Sequence, residues 1–209
     1  HQVGIIRAAE AMQSFDVAEA LASQPLPRSG RIAILGSGGQ GVVTADACGL
    51  LGLEVPHFTA DTMAQLQQVM PPHAPPPTNP VDFAGAFRTG AEEAAVVETL
   101  LQQEYIDGVI TNVPINPMVW ARGMSPGRMP PPLLAVTKKA IDGAERFAAL
   151  PGKYRKPVIT LRFRRTLQDM IVEILRGTGI PVYDTPEECA RAMHALVQYG
   201  RTRARLNGR

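Results

Sequence analysis

The stretch Ile34-Leu35-Gly36-Ser37-Gly38-Gly39-Gln40-Gly41 decides the fold of this chain. Just upstream, Arg31 to Leu35 (RIAIL) is short, apolar and β-branched, and it runs at once into glycine, as a buried parallel strand does on entering a βα turn. Val42, Val43, Ala47, Leu50 and Leu51 then follow at helical spacing, and Gly52 stands where a helix is capped. A strand, a glycine turn and a helix in that order point free backbone N–H groups outward from the helix start, where the peptide dipoles leave a partial positive charge. Glycines let a ligand come close to the backbone and take positive φ. The turn is therefore an anion seat, with Ser37, Gly38, Gly39, Gln40 and Gly41 as its phosphate-binding candidates.

Gly36, Gly38 and Gly41 formally satisfy G-x-G-x-x-G, but a Walker A loop needs Lys followed by Ser or Thr, and Val42 and Val43 stand there instead. A dinucleotide site needs an acid at the tip of the second strand. The nearest candidate, Asp61, comes after Thr59 and Ala60 and reads as part of a helix start. Ser37 lacks the G-x-S-x-G elbow of a nucleophile, and no His and acid can be assigned to support it.

Working outward, Leu53 to Phe58 is expected to form the second strand, and Met63, Leu66 and Met70 a helix halted at Pro71. Val97, Leu100 and Leu101 mark a helix before the strand Gly108 to Val113, and Pro114 to Pro132 reads as an insertion. Leu134, Thr137, Ile141 and Ala144 restore helical spacing ahead of a fourth strand, Pro157 to Phe163. A helix through Leu167, Ile171, Ile174 and Leu175 leads to a fifth strand, Ile180 to Tyr183. Thr185-Pro186-Glu187-Glu188 is a helix start with a cap, a first-turn proline and a capping-box acid. Five β-α units in alternation define an α/β fold, a flavodoxin-like doubly wound parallel sheet of five strands in the order 2-1-3-4-5. Residues 1–29 read as a connector helix and linker, 30–200 as the domain, and 201–209 as a basic tail or linker carrying Arg201, Arg203, Arg205 and Arg209.

The 209 residues, 45% of them apolar, suit one compact domain with extensions, and a net charge of +2 with few aromatics argues against nucleic acid as a partner. No apolar run approaches the ~20 residues that span a bilayer, and no signal-peptide h-region opens the chain, so no membrane partner and a cytoplasmic location are expected. The chain starts at His1 without an initiator methionine, as a fragment or processed piece would. Cys48 and Cys189 fall within apolar helical patterns and are expected as buried thiols.

His1, His57, His73 and His194 show no spacing of a metal site or triad, so no metal is expected. Asn79-Pro80-Val81-Asp82 builds a fixed turn whose Asn79 and Asp82 side chains can bind backbone groups or a ligand. Thr111-Asn112-Val113-Pro114 ends the third strand on the carboxyl side of the sheet, so Asn112 either faces the same crevice as the glycine turn or caps a helix.

Taken in order, RIAILGSGGQGVVTADACGLLGLEV, LQQVMPP, NPVDFAG, IDGVITNVP and GIPVYDTPEECARAMHAL resemble the flavodoxin-like ligase domain of NDP-forming acyl-CoA synthetases, in the succinyl-CoA synthetase superfamily. The lead-in up to Pro27 resembles the connector that precedes this domain in fused enzymes. The resemblance implies an acid-thiol ligase that interconverts acyl-CoA, nucleoside diphosphate and phosphate with acid, CoA and nucleoside triphosphate. An acyl phosphate passes its phosphoryl group to a histidine, and helix N-termini from two domains grip the phosphohistidine; the turn matching Ser37 to Gly41 supplies one of them. No catalytic residue is expected in this chain, because the family's phosphorylated histidine lies in a histidine-threonine-glycine segment of a preceding domain, and His1 does not match it. The resemblance further implies that this domain binds no cofactor directly. CoA, ATP or ADP and Mg²⁺ belong to the complete enzyme, whose CoA-binding and phosphohistidine domain and ATP-grasp domain are the partners, in a hetero- or homo-oligomer. Residues 118–152 exceed the family pattern and take no role from it. Two rival readings are a stand-alone regulatory or nucleotide-binding domain without catalysis and a purely structural subunit.

Overall fold

The structure, a computed structural model, describes residues 5–70, 72, 74–83, 90–114, 131–162 and 170–208. Its elements follow in the order α1 (Ala11–Ser23), β1 (Ile32–Gly36), α2 (Gly39–Leu50), α3 (Ala60–Val69), β2 (Val81–Asp82), α4 (Gly90–Gln102), β3 (Gly108–Asn112), α5 (Pro131–Ala148), α6 (Leu150–Tyr154), β4 (Val158–Leu161), α7 (Met170–Gly177), β5 (Val182–Tyr183) and α8 (Pro186–Asn207). The sheet is parallel throughout, in the order β2-β1-β3-β4-β5. Much of the expected insertion at 114–132 lies outside the described residues, as do His1, Pro71, His73, Phe163, Leu167, Arg209 and the side chains of Leu134 and Thr137.

Alternation along each strand divides the core in two. Ala33, Leu35, Val109, Val158 and Val182 join one cluster with α4, α5 and α7 residues such as Leu100, Phe147 and Leu175. Ile32, Ile34, Ile110, Ile159 and Tyr183 face the other, with Ala20 of α1, Cys48 of α2 and Met193 and Leu196 of α8. Helices thus cover both faces, which is why β1 is buried at all five positions. On the first face α5 comes so close to α4 that a Cβ on Gly143 would stand 2.6 Å from the Ala91 nitrogen.

The second strand is not Leu53 to Phe58. That segment makes a single parallel bridge, Arg31 with Glu54, in which Ile32 N–H donates to the Glu54 carbonyl (2.8 Å) and Glu54 N–H to the Gly30 carbonyl (2.8 Å). Pro56 has no N–H to continue the ladder. The edge is completed instead by β2, where Val81 pairs with Leu35 and Asp82 with Gly36. Between the two, the Asn79 side chain fills the gap. Its Oδ1 accepts from Ile34 N–H (2.9 Å), and its Nδ2 donates to the Ile32 and Pro56 carbonyls (3.0 Å each).

Helix ends follow the chemistry expected of them. Gly52, at φ 74°, closes α2, with Leu53 N–H donating to the Cys48 carbonyl and Gly52 N–H to that of Gly49 (3.0 Å each). Thr59 caps α3 by accepting from Thr62 N–H, which puts Asp61 in the first turn of that helix as expected. Thr185 and Glu188 form the capping box of α8. Residues 201–207 of the basic run continue α8 without a break. The lead-in is also fastened to the domain: Tyr183 Oη donates to the Asp16 carbonyl (2.6 Å), and Gln24 donates to the Gly179 carbonyl (2.7 Å) while accepting from Val158 N–H (2.9 Å).

Candidate functional site

The glycine turn lies at the carboxyl edge of the sheet, between the end of β1 and the first turn of α2. Three of its four glycines have a reason of their own to be there. Gly38 sits at φ 55°, ψ −134°, a region that side chains exclude. A Cβ on Gly36 would stand 3.0 Å from the Gly41 nitrogen, and one on Gly41 would stand 3.1 Å from the Pro80 Cβ. At Gly38 and Gly39, by contrast, an added Cβ meets nothing within 4 Å, so the mouth of the turn is open among the described residues.

The five phosphate-binding candidates are not equivalent. Gly38 N–H already donates to Asp82 Oδ1 (3.0 Å), and Gly41 N–H turns back to the Gly38 carbonyl (3.3 Å). The N–H groups of Gly39 and Gln40, the first two positions of α2, have no partner among the described residues. The Ser37 hydroxyl also has no hydrogen-bond partner among them, so nothing there activates it as a nucleophile. Asn112, at the end of β3, donates from Nδ2 to Gln40 Oε1 (2.9 Å) and so faces the crevice of the glycine turn, while Thr44 Oγ1 donates to the Gln40 carbonyl (2.7 Å). Of the three crevice candidates, Asp82 and Asn112 therefore border the seat, whereas the Asn79 amide is engaged inside the sheet edge.

The positive end of α2 carries one carboxylate at its cap. α2 has no acid in its first turn, and among the described residues its partial charge of about +0.5 meets the Asp82 carboxylate, from outside the helix. Two strands further along, Arg162 donates through Nε to Asp184 Oδ1 (2.8 Å) and through Nη2 to the same oxygen. This half-buried ion pair joins the carboxyl ends of β4 and β5. The sequence signal for it was one charged residue immediately past each apolar strand run, which gains weight only once the strands are known to be neighbours.

The remaining candidates separate from the site. His57 is exposed, and the His194 ring lies with Nδ1 2.8 Å from the Leu51 carbonyl, its pKa pushed down by burial and by nearby Arg201. Cys48 and Cys189 are free and buried, as expected; burial pushes the Cys48 thiol up to about 12 and raises Cys189 as well. Among the described residues no group of three His, Cys, Asp or Glu side chains is arranged to hold a metal ion, and no helix is long and apolar enough to cross a membrane.

These features define a flavodoxin-like α/β domain with an open glycine turn at the switch point of its sheet, where ligands bind in this fold class. The homologues of the chain are ADP-forming acetate–CoA ligases, to which it is similar over nearly its whole length. It is 30% identical over 198 residues, 94% of the chain, to the alpha subunit of acetate–CoA ligase [ADP-forming] II from Pyrococcus furiosus. It is also 26% identical over 210 residues to acetate–CoA ligase [ADP-forming] II from Archaeoglobus fulgidus. The chain spans 39% and 28% of the lengths of these two curated relatives, so it corresponds to one part of such an enzyme. A crystal structure from Pyrococcus horikoshii superposes with a TM-score of 0.74 at 30% identity, covering 96% of this chain and 42% of that one. The apo form of the dinucleotide forming acetyl-coenzyme A synthetase 1 of Ca. Korarchaeum cryptofilum shares the fold with a TM-score of 0.73 at 23% identity, over 99% of this chain and 41% of that one. No family model matches the chain.

Proposed function

We propose that this chain is the flavodoxin-like ligase domain of an ADP-forming acyl-CoA synthetase and that the N-terminus of α2 receives a phosphohistidine carried by another module of the enzyme. The observation that carries this reading is the pair of N–H groups on Gly39 and Gln40, at the positive end of α2, which have no partner among the described residues, with open space among those residues at Gly39. Two charge-assisted hydrogen bonds of roughly 1.5 to 3 kcal/mol each hold a phosphoryl group there without a basic side chain. Preorganised amides need no rearrangement as charge shifts onto the transferring oxygens. Asp82 locks Gly38 in its glycine-only conformation, and Asn112 holds the Gln40 side chain to one flank. In this reading the domain does not turn over alone. CoA, nucleotide and Mg²⁺ are held by the CoA-binding and ATP-grasp modules, and the assembled enzyme works in the cytoplasm. Homology to the acetate–CoA ligases supports the assignment to this enzyme class.

The test is Gly39→Leu in the assembled enzyme. The added side chain projects into space where no atom of the described residues lies within 4 Å of its Cβ, so the fold is retained while the seat is blocked. Acyl-CoA formation should fall by about 100-fold or more with the melting temperature unchanged. Undiminished turnover by a folded Gly39→Leu enzyme contradicts the reading.

A further inference from the structure

A groove of about 960 Å³ opens beside the amino-terminal ends of β1 and β4. It is separated from the glycine turn by the length of β1, about 16 Å for five residues. Arg28, Arg155, Arg201, Arg203 and Arg205 line it, and among the described residues no Asp or Glu does. None of the five enters an ion pair among the described residues. A chain with a formal net charge of +2 thus gathers around one cavity five cations with no carboxylate partner among the described residues.

Three separate elements bring them together, so the cluster is more than a solvated helix end. Arg201, Arg203 and Arg205 come from the last turns of α8. Arg28 comes from the linker ahead of β1, which crosses α8 at Gly200, where an added Cβ would stand 3.3 Å from the Pro27 carbonyl oxygen. Arg155 comes from the end of α6, held at φ 54° in a left-handed position that glycine fills at lower cost. Next to Arg155, burial holds Lys156 below the ordinary lysine value, with Asp107 opposing the shift and Arg28 and Arg31 adding to it. Ile6, Leu26, Pro27 and Ala204 add an apolar surface to the same groove.

We propose that this groove is a second anion site, which binds a polyphosphate ligand of nucleotide size. The volume lies within the range of small-molecule pockets. Guanidinium forks match phosphate oxygens in pairs, and several forks with no carboxylate among them are compensated by several phosphates better than by one. The apolar surface suits the uncharged part of such a ligand. The site is independent of the proposed phosphohistidine seat, so either can fail without the other.

Equilibrium dialysis of the full chain against ADP and, separately, inorganic triphosphate tests this. Arg155→Gly removes a guanidinium while relieving the left-handed backbone, so the melting temperature should hold or rise as ADP affinity falls about 10-fold. Gly39→Leu should leave that affinity unchanged. Equal affinity for both probes means the phosphates alone are recognised, and tighter ADP binding means the apolar surface takes the nucleoside; either result supports the site. The proposal is overturned if neither probe binds at ~1 mM, if affinity survives Arg155→Gly combined with Arg28→Ala, or if Gly39→Leu abolishes it.

Discussion

The carboxylate of Asp82 accepts the amide of Gly38 at 3.0 Å, tying the edge strand β2 to the glycine turn across 44 residues of chain. With the Gly41 N–H bond to the Gly38 carbonyl, it holds Gly38 at φ 55°, ψ −134°. Asp82→Asn keeps an oxygen acceptor in place, whereas Asp82→Ala removes it. Urea unfolding should therefore place Asp82→Asn near wild type and Asp82→Ala about 1 kcal/mol lower. Equal losses in both would mean that the charge, not the acceptor, matters.

Asn79 does through a side chain what a strand does through its backbone. It serves Ile34 N–H and the carbonyls of Ile32 and Pro56 at once. Asn79→Ala leaves these groups without their partner and should cost about 3 kcal/mol in denaturant unfolding. Asn79→Asp can still accept from Ile34 but offers nothing to two carbonyls, so it should not restore stability. Rescue by Asp would sink the assignment.

Asp107, 1% exposed, links the start of β3 to the start of β1. It accepts from Ser29 Oγ (2.5 Å), Arg31 Nε (2.8 Å) and Arg31 Nη2 (3.1 Å). Burial works to raise its pKa, but the hydrogen bonds from Arg31 and Ser29 outweigh it and hold the carboxyl below its ordinary 3.8. A folded value below the unfolded one means that the stabilisation is fully present above about pH 4 and disappears as pH falls through the folded value. Unfolding free energy measured from pH 6 downward should thus drop more steeply for wild type than for Asp107→Asn, which starts about 2 kcal/mol lower at neutral pH. Parallel curves would show that Asp107 does not carry the acid limb.

Cys48 and Cys189 are buried with raised thiol pKa values, so neither supplies thiolate at neutral pH. Ellman's reagent should label neither in the native protein and both in denaturant. Fast native labelling of either would contradict their burial.

How far the chain could be read in advance depended on the range of each interaction. RIAIL with its glycine turn, the Gly52 cap and the Thr185 capping box are set by neighbours in sequence, and each stands where periodicity and cap chemistry put it. The edge strand was misplaced because β2 is two residues long and the ladder beside it is completed by an Asn side chain, a contact with no periodic signature. Strand order survived because either segment follows α2 and pairs on the same side of β1. At the candidate site, Gly39 and Gln40 were legible as helix-start amides, but the capture of Gly38 by Asp82 depends on a contact 44 residues away. The basic groove was invisible for the same reason: Arg28, Arg155 and Arg201 meet only once the linker, α6 and α8 are packed together.

The central claim is that the amides of Gly39 and Gln40 hold the phosphoryl group in transit. A crystal structure of the assembled enzyme trapped with its histidine phosphorylated measures this directly. The account predicts phosphoryl oxygens at hydrogen-bond distance, about 2.7 to 3.2 Å, from both nitrogens, with Asp82 still on Gly38. A phosphohistidine seated against other groups, with water left on Gly39 and Gln40, would contradict it.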